Sequence, residues 1–356
     1  MEIGILGLPK AGKTTLFNTL TASEQETDKF VASSKTNIGI AQVPDRRLAA
    51  LRDLFNPRRY VPATIQYVDI PGMRQGESAE SLDLAKLKDV DALVHVVRAF
   101  EDQELPHPAG SVDPARDAAT IDLELILADY ELVERRIERL EKSKKRGLSP
   151  EEVRELELLS ETLLPALSEE KPLREIDLEA EDERRIRGFQ LLSAKPLLLV
   201  VNVGEDQVAD ATPEGFGIYP GVGVKAITVS ALIEQEIALL EPEEQQEFLA
   251  DLGLDEPSLD RVIRASFELL GLISFFTVGE DEVRAWTIRQ GTIARRAAGA
   301  IHSDIERGFI RAEVVPWEDL LDKKTLAACR EEGLLRLEGK EYVVKDGDVV
   351  HYRFNV

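Results

Sequence analysis

An α/β protein built on a mainly parallel sheet is what this chain of 356 residues predicts. Short apolar runs bounded by turn residues alternate with helical segments through its first part, the texture of parallel strands covered by helices on both faces. A glycine-rich loop, GLPKAGKT, joins the first of those runs to the first helix. Past about Gly271 strand patterns take over, which predicts a small, separate C-terminal β-rich domain.

EIGILG reads as a buried strand and KTTLFNTLTA as the helix it launches, while IGIAQVP, ATIQYVDI and DALVHVVRAF read as further strands. From about Asp113 to Arg187 the texture changes. Ile126, Tyr130, Val133, Ile137 and Leu140 are spaced by fours and threes, one face of a helix, with the charged run RRIERLEKSKKR around its end. Ser149 then predicts an N-cap, Pro150 suits the first helical position, and Glu152 can complete a capping box. Leu156, Leu159, Leu163 and Ala166 form a second stripe, so the segment reads as a helical hairpin, an antiparallel coiled coil with a solvated charged face. KPLLLVVNV and VKAITVSAL return to strands, which makes the hairpin an insertion into one α/β domain. ISFFTV, EVRAWTI, FIRAEVV, EYVVK and VVHYRFNV, with the turn Asp346-Gly347-Asp348 before the last, supply the C-terminal strands. The expected partition is residues 1–112 and 189–271 for the two parts of the α/β domain, 113–188 for the insertion and 272–356 for the last domain.

A net charge of -23 repels phosphate, so whole-surface binding to DNA or an anionic membrane is not expected, and any nucleic-acid contact needs a local basic patch. The single cysteine, Cys329, excludes an intrachain disulfide and reads as a packed small residue in a reducing, cytoplasmic setting. No run approaches the roughly 20 apolar residues that span a bilayer, and a soluble, untargeted monomer is expected. His95, inside a buried strand, reads as a core imidazole.

GLPKAGKT matches GxxxxGKS/T and stands between a strand and a helix, the context that a phosphate-binding loop requires. Its amides and the helix N-terminus can cradle phosphate oxygens, so Gly7, Pro9, Lys10, Ala11, Gly12, Lys13, Thr14 and Thr15 are candidate nucleotide contacts. Lys13 can reach the β- and γ-phosphates, and the Thr14 hydroxyl can ligate Mg²⁺. Asp69-Ile70-Pro71-Gly72 ends the strand ATIQYVDI, which places Asp69 to hold the metal and the Gly72 amide to meet the γ-phosphate. Lys13 and Gly72 are the candidate catalytic groups, and the two motifs together favour a switch-type nucleoside triphosphatase over a small-molecule kinase.

Asn202-Val203-Gly204-Glu205 closes the strand PLLLVV. Guanine-specific switches carry Asn-Lys-x-Asp at this place, the aspartate accepting two hydrogen bonds from guanine. Glu205 moves that carboxylate by about one carbon–carbon bond, and Val203 removes the lysine that covers the base. Adenine has no donor at N1 or C2 and loses nothing, so the motif argues for ATP or relaxed specificity, with GTP the alternative. Ser230 and Ala231, at the exit of the next strand, are candidate backbone contacts to the base.

These residues resemble the Obg-like ATPases, the YchF group of translation-factor-related P-loop NTPases. GLPKAGKTTLFNTLT, DALVHVVRAF and NVGE are similar to family segments, and the most specific match is the tail from ISFFTVGEDEVRAWTIRQ to KDGDVVHYRFNV, similar to a TGS domain. The resemblance implies a G domain, an inserted helical domain, a ubiquitin-like TGS domain, preference for ATP with Mg²⁺, and association with the ribosome and its RNA through the TGS and helical domains. Three departures stand out. Lys10 replaces an asparagine that helps to seat potassium in related NTPases; its ammonium either substitutes for that ion or points to solvent. Ser33 aligns with the threonine that ligates the metal, with Ser34 and Thr36 as rivals. The switch after Asp69 has lost several glycines although Gly76 is kept, and Met73 stands where a glutamine would orient water. Slow hydrolysis is the expectation, a nucleotide-gated module with negligible turnover the alternative. Arg284, Arg289, Arg295, Arg296, Arg307 and Arg311, near Trp286 and Phe309, either face RNA or pair with acids, and the TGS resemblance tips the reading toward RNA.

Overall fold

Seven strands in chain order carry the first two thirds of the topology: β1 (Glu2–Leu6), β2 (Asn37–Gln42), β3 (Arg59–Val61), β4 (Thr64–Asp69), β5 (Ala92–Arg98), β6 (Leu197–Asn202) and β7 (Val224–Val229). All but β3 join one sheet in the order β2-β4-β1-β5-β6-β7. The ladders from β4 through β1, β5, β6 and β7 are parallel. The computed structural model describes residues 1–22, 37–70 and 84–355. The chain forms two compact units, Met1–Ala41 with Gln66–Leu269, and Gln42–Ile65 with Leu270–Val356.

Every residue of β5 and β6 is buried, which explains why both read as unbroken apolar runs rather than alternating ones. Leu6, Leu93, Val97, Leu199 and Val201 pack with Ile121 and Leu125 of the helix Pro114–Ser143. Each such buried side chain contributes about 1.5–3 kcal/mol.

That helix begins at Asp113, whose carboxylate accepts from the Arg116 amide at 3.0 Å, with Pro114 in the first turn. Beyond the sheet its stripe continues as Ile126, Val133 and Leu140, buried against Leu156, Leu159, Leu163 and Ala166, with Tyr130 and Ile137 partly buried beside them. The returning helix starts with the capping box read from the sequence, Ser149 and Glu152 bonding reciprocally. It is not α-helical throughout, because Leu158–Leu163 is a π-helix. Pro165 has no N–H to donate, so the α ladder fails there in any case. The wider turn brings Leu163 back over Leu158 and Leu159, and all three are buried. The chain then returns to β6 past Asp129, a buried carboxylate that accepts from the Leu192 amide at 2.8 Å, the Ser193 amide at 2.7 Å and the Ser193 hydroxyl at 2.6 Å.

The second unit contains β8 (Leu272–Thr277), β9 (Glu282–Arg289), β10 (Phe309–Pro316), β11 (Arg336–Glu338) and β12 (Asp348–Phe354). Its sheet runs β11-β10-β12-β8-β9-β3. β12 and β8 are parallel, whereas β8–β9, β10–β12 and β10–β11 are antiparallel. Two features differ from the sequence reading. The segment Gln42–Ile65, expected within residues 1–112 of the α/β domain, packs in the second unit, where β3 pairs with β9 and the Arg59 amide donates to the Asp281 carbonyl at 3.0 Å. Arg47, in the helix Arg46–Phe55, bonds Asp346 at 2.7 Å and lies 5.3 Å over the Phe276 ring. β3 has three residues, two of them exposed, too short and polar for a hydrophobic pattern to reveal. EYVVK, expected as a strand, forms an isolated bridge between Val343 and Ile293. That bridge is made by Val344 donating to the Thr292 carbonyl and Tyr342 accepting from the Ala294 amide. The edge strand is β11, RLE, instead. Among the described residues no helix is long and apolar enough to cross a membrane.

Replacing Asp129 by alanine strands three buried donors at the junction between insertion and sheet. Asp129→Ala should lower the unfolding free energy by about 2–4 kcal/mol, read as an earlier urea midpoint at unchanged slope.

Candidate nucleotide-binding site

The loop after β1 is shaped by two glycines that no other residue could replace without strain. Gly7 has φ +145°, and a Cβ there would lie 2.3 Å from the Val96 carbonyl oxygen, so the exit of β1 presses directly on β5. Gly12 has φ +95°, and its Cβ would lie 2.2 Å from the Asn202 side-chain nitrogen. Between them Lys10 holds a left-handed φ of 65° with its side chain exposed. The Leu16 amide bonds the Gly12 carbonyl at 2.9 Å, opening the helix Lys13–Ala22. That helix has no acidic residue in its first turn, which leaves its positive end uncompensated and facing the loop.

Lys13 is only 8% exposed. Its ammonium donates to the Gly7 carbonyl at 2.9 Å and the Leu8 carbonyl at 2.7 Å. Burial pushes its pKa down to about 8, and the Asp69 carboxylate works against that shift. Asp69, half-buried at the end of β4, is itself raised by burial and drawn back by Lys13. Loop carbonyls thus park the cation, and the field of Asp69 reaches it. Thr14 is exposed beside Lys13, Thr15 and Pro9 are half-buried, and Ala11 is buried. Gly72 and Ser33 lie outside the described residues, as do Ser34, Thr36, Met73 and Gly76.

The base side is organised by Asn202. From the end of β6 its side chain donates to the Ala11 carbonyl at 3.0 Å and accepts from the Ala231 amide at 3.0 Å. One side chain therefore ties the phosphate loop to the loop after β7. The Ala231 amide is thereby engaged by Asn202. The Ser230 hydroxyl is buried with no hydrogen-bond partner among the described residues. Val203 is buried and cannot cover a base as a lysine would, and Glu205 is exposed at the start of a short turn. The sequence reading missed Leu8, which contributes only its carbonyl, and the bridging role of Asn202. The signal for the second was the glycine at position 12, since only a missing Cβ lets the amide nitrogen approach so closely. His95 is buried in β5, as expected of a core imidazole. Burial, then the charges of Lys13 and Arg174, push its pKa down to about 3, so it stays neutral.

These groups fit a triphosphate with a divalent ion: amides at a bare helix N-terminus, a desolvated ammonium, a hydroxyl on the exposed Thr14 and a carboxylate at Asp69. In the second unit Arg284 stacks 4.4 Å over Trp286 and lies 3.6 Å from Glu282, Arg307 pairs with Asp304, and Arg295 donates to the Glu306 carbonyl. Arg296 and Arg311 are exposed and make no ion pair among the described residues.

Comparison with known proteins bears on the same regions. A family model described as 50S ribosome-binding GTPase matches residues 2–146, and one for a YchF GTPase C-terminal region, described as a protein of unknown function, matches residues 272–355. The chain is 48% identical over 368 residues to the Ribosome-binding ATPase YchF of Bacillus subtilis, covering 100% of each. It is 42% identical over 370 residues to the protein of that name from Escherichia coli O157:H7, covering 100% of this chain and 99% of the other. The solved YchF GTPase of Schizosaccharomyces pombe aligns with a TM-score of 0.88 at 34% identity, over 99% of this chain and 97% of that one. A GTP binding protein from Pyrococcus horikoshii OT3 aligns with a TM-score of 0.57 at 18% identity, a likeness of fold alone.

Two substitutions test the geometry. Asn202→Ala frees both loops, and triphosphate affinity should fall at least about tenfold, about 1.4 kcal/mol, by calorimetry on protein that still unfolds cooperatively. Lys13→Met removes a charge that burial already penalises. Triphosphate affinity should fall at least about 100-fold while the nucleotide-free protein loses less than about 1 kcal/mol of stability.

Proposed function

The chain belongs to the YchF family of P-loop nucleoside triphosphatases, and from that membership we propose a Mg²⁺-dependent ATPase that acts as a slow conformational switch on the ribosome. The observation that carries this reading is the Lys13 ammonium, desolvated on the Gly7 and Leu8 carbonyls within the field of Asp69. A γ-phosphate is a stronger acceptor than either carbonyl, so Lys13 is proposed to transfer to phosphate oxygens and to stabilise the charge that develops as water displaces the γ-phosphoryl group.

The roles of the remaining residues are proposed from the motifs in which they stand. The amides from Gly7 to Gly12, with Pro9, Lys10, Ala11 and Thr15 around them, line the phosphates. Thr14, Ser33 and Asp69 are proposed to hold Mg²⁺, which supplies charge neutralisation at the β- and γ-phosphates when bound. The Gly72 amide is proposed to register the γ-phosphate. Asn202 positions the loop that receives the base, and Val203, Glu205, Ser230 and Ala231 border it. Preference for adenine is supported by the buried Val203 and the exposed Glu205, which leave guanine without its usual cover and paired acceptor. GTP is the second reading, favoured because both the matched N-terminal family and the solved fission yeast relative are named as GTPases.

The relatives are named as ribosome-binding. Contact with ribosomal RNA is proposed for the exposed Arg296 and Arg311 of a TGS-like C-terminal domain and for the helical insertion, by a cytoplasmic monomer that uses neither DNA nor membrane. The α/β domain is proposed to bind nucleotide.

Purified protein should bind ATP at least as tightly as GTP in the presence of magnesium. The double variant Val203→Lys, Glu205→Asp should move the ratio toward GTP by at least about tenfold. An unmoved ratio would remove the argument from the base motif. Single-turnover hydrolysis that is indifferent to added ribosomes, with no co-sedimentation, would sink the ribosomal half of the proposal.

A further inference from the structure

A second hollow lies at the opposite edge of the same sheet. Asp91, Pro196 and Gly223 stand just before β5, β6 and β7, at the amino ends of strands whose carboxyl ends carry the nucleotide loops. Residues of the helical insertion close over them and leave a pocket of about 390 Å³, within the size range of small-molecule sites. Its wall is mixed, with Leu173, Ile186 and Leu191, buried members of the insertion's core, on one part of it and charged side chains on the rest.

Donors and acids both stand around this wall. Arg174 is buried, with its two terminal nitrogens donating to the Ser193 carbonyl and to Asp122, but its Nε lies out of water with no partner among the described residues. Arg187 is exposed on the rim and makes no ion pair among the described residues. Gln190, exposed on the lining, closes the turn Arg187–Phe189 at a left-handed φ of 52°, its amide donating to the Arg187 carbonyl. Two other polar residues are already engaged. Lys195 donates to the carbonyls of Lys88 and Val90, and Asp91 accepts from the Glu2 amide at 3.0 Å.

We propose that this pocket binds a small amphipathic carboxylate, its acid group on Arg187 and Gln190 and its apolar body against Leu173, Ile186 and Leu191. A guanidinium and an amide offer parallel donors to two coplanar oxygens. Asp91 and Glu183, also on the lining, oppose a dianion, which selects a carboxylate over a phosphate monoester. The site does not depend on the nucleotide reading, because it shares none of its residues with the phosphate loop. A ligand here touches the insertion and the sheet at once and so favours the state in which they are packed together.

Octanoate and 1-octanol, alike in apolar body and different in charge, separate the contributions on the full chain. Calorimetry should give saturable binding of octanoate, at least tenfold tighter than of 1-octanol. Arg187→Glu, on an exposed residue, should weaken octanoate at least tenfold and leave 1-octanol and the thermal midpoint unchanged. Ala194→Phe, which fills the pocket, should remove both. Equal binding of the two probes, octanoate binding that survives Arg187→Glu, or binding of both by Ala194→Phe would each overturn the proposal.

Discussion

The Lys13 ammonium sits almost wholly out of water, and an ionised amine in such a place is costly unless polar atoms replace its hydration. Two loop carbonyls do so, which requires the chain at Gly7 and Leu8 to turn its oxygens inward. That turn needs the φ of Gly7 and its close approach to Val96, so β1 and β5 must be neighbours in the sheet. Asp69, at the end of β4 beside β1, supplies the compensating negative field on the side of β1 away from β5.

Asn202 extends the same constraint across β5 to β6. Its two hydrogen bonds hold the phosphate loop and the loop after β7 in a fixed relation, in a place where Gly12 leaves no room for a larger residue. The part of the motif that remains from guanine-specific switches is thus its structural half. Val203 and Glu205 stand where that pattern has lysine and aspartate. Asn202 acts through buried hydrogen bonds, whereas Val203 is buried in the core beside it and only Glu205 stands in an exposed turn.

Most of the fold could be read in advance wherever one periodicity ran for several residues. β5 and β6 are apolar throughout, the stripe from Ile126 to Leu140 keeps to one helix face, and the capping box at Ser149 and Glu152 stands where its sequence places it. Legibility failed where backbone requirements outweighed side-chain pattern. The π turn at Leu158–Leu163 follows from the ladder ahead of Pro165, β3 is too short to show alternation, and the valines of EYVVK are held by the turn before the helix Ala294–Ile301. At the site, residue types announced Lys13 and Asp69, but the carbonyl of Leu8 has no signature in any side chain. The bridging of Asn202 needed the position of β7, which sequence order alone does not supply.

The helix Pro114–Ser143 has a mechanical corollary. Leu125 and Ile126 are consecutive, yet the first is packed on the sheet and the second in the insertion. No joint separates them, and a helix of this length is about 45 Å long. It therefore works as an oar with the sheet as rowlock. The blade near Ser143 and the grip on β5 thus belong to one unbroken element.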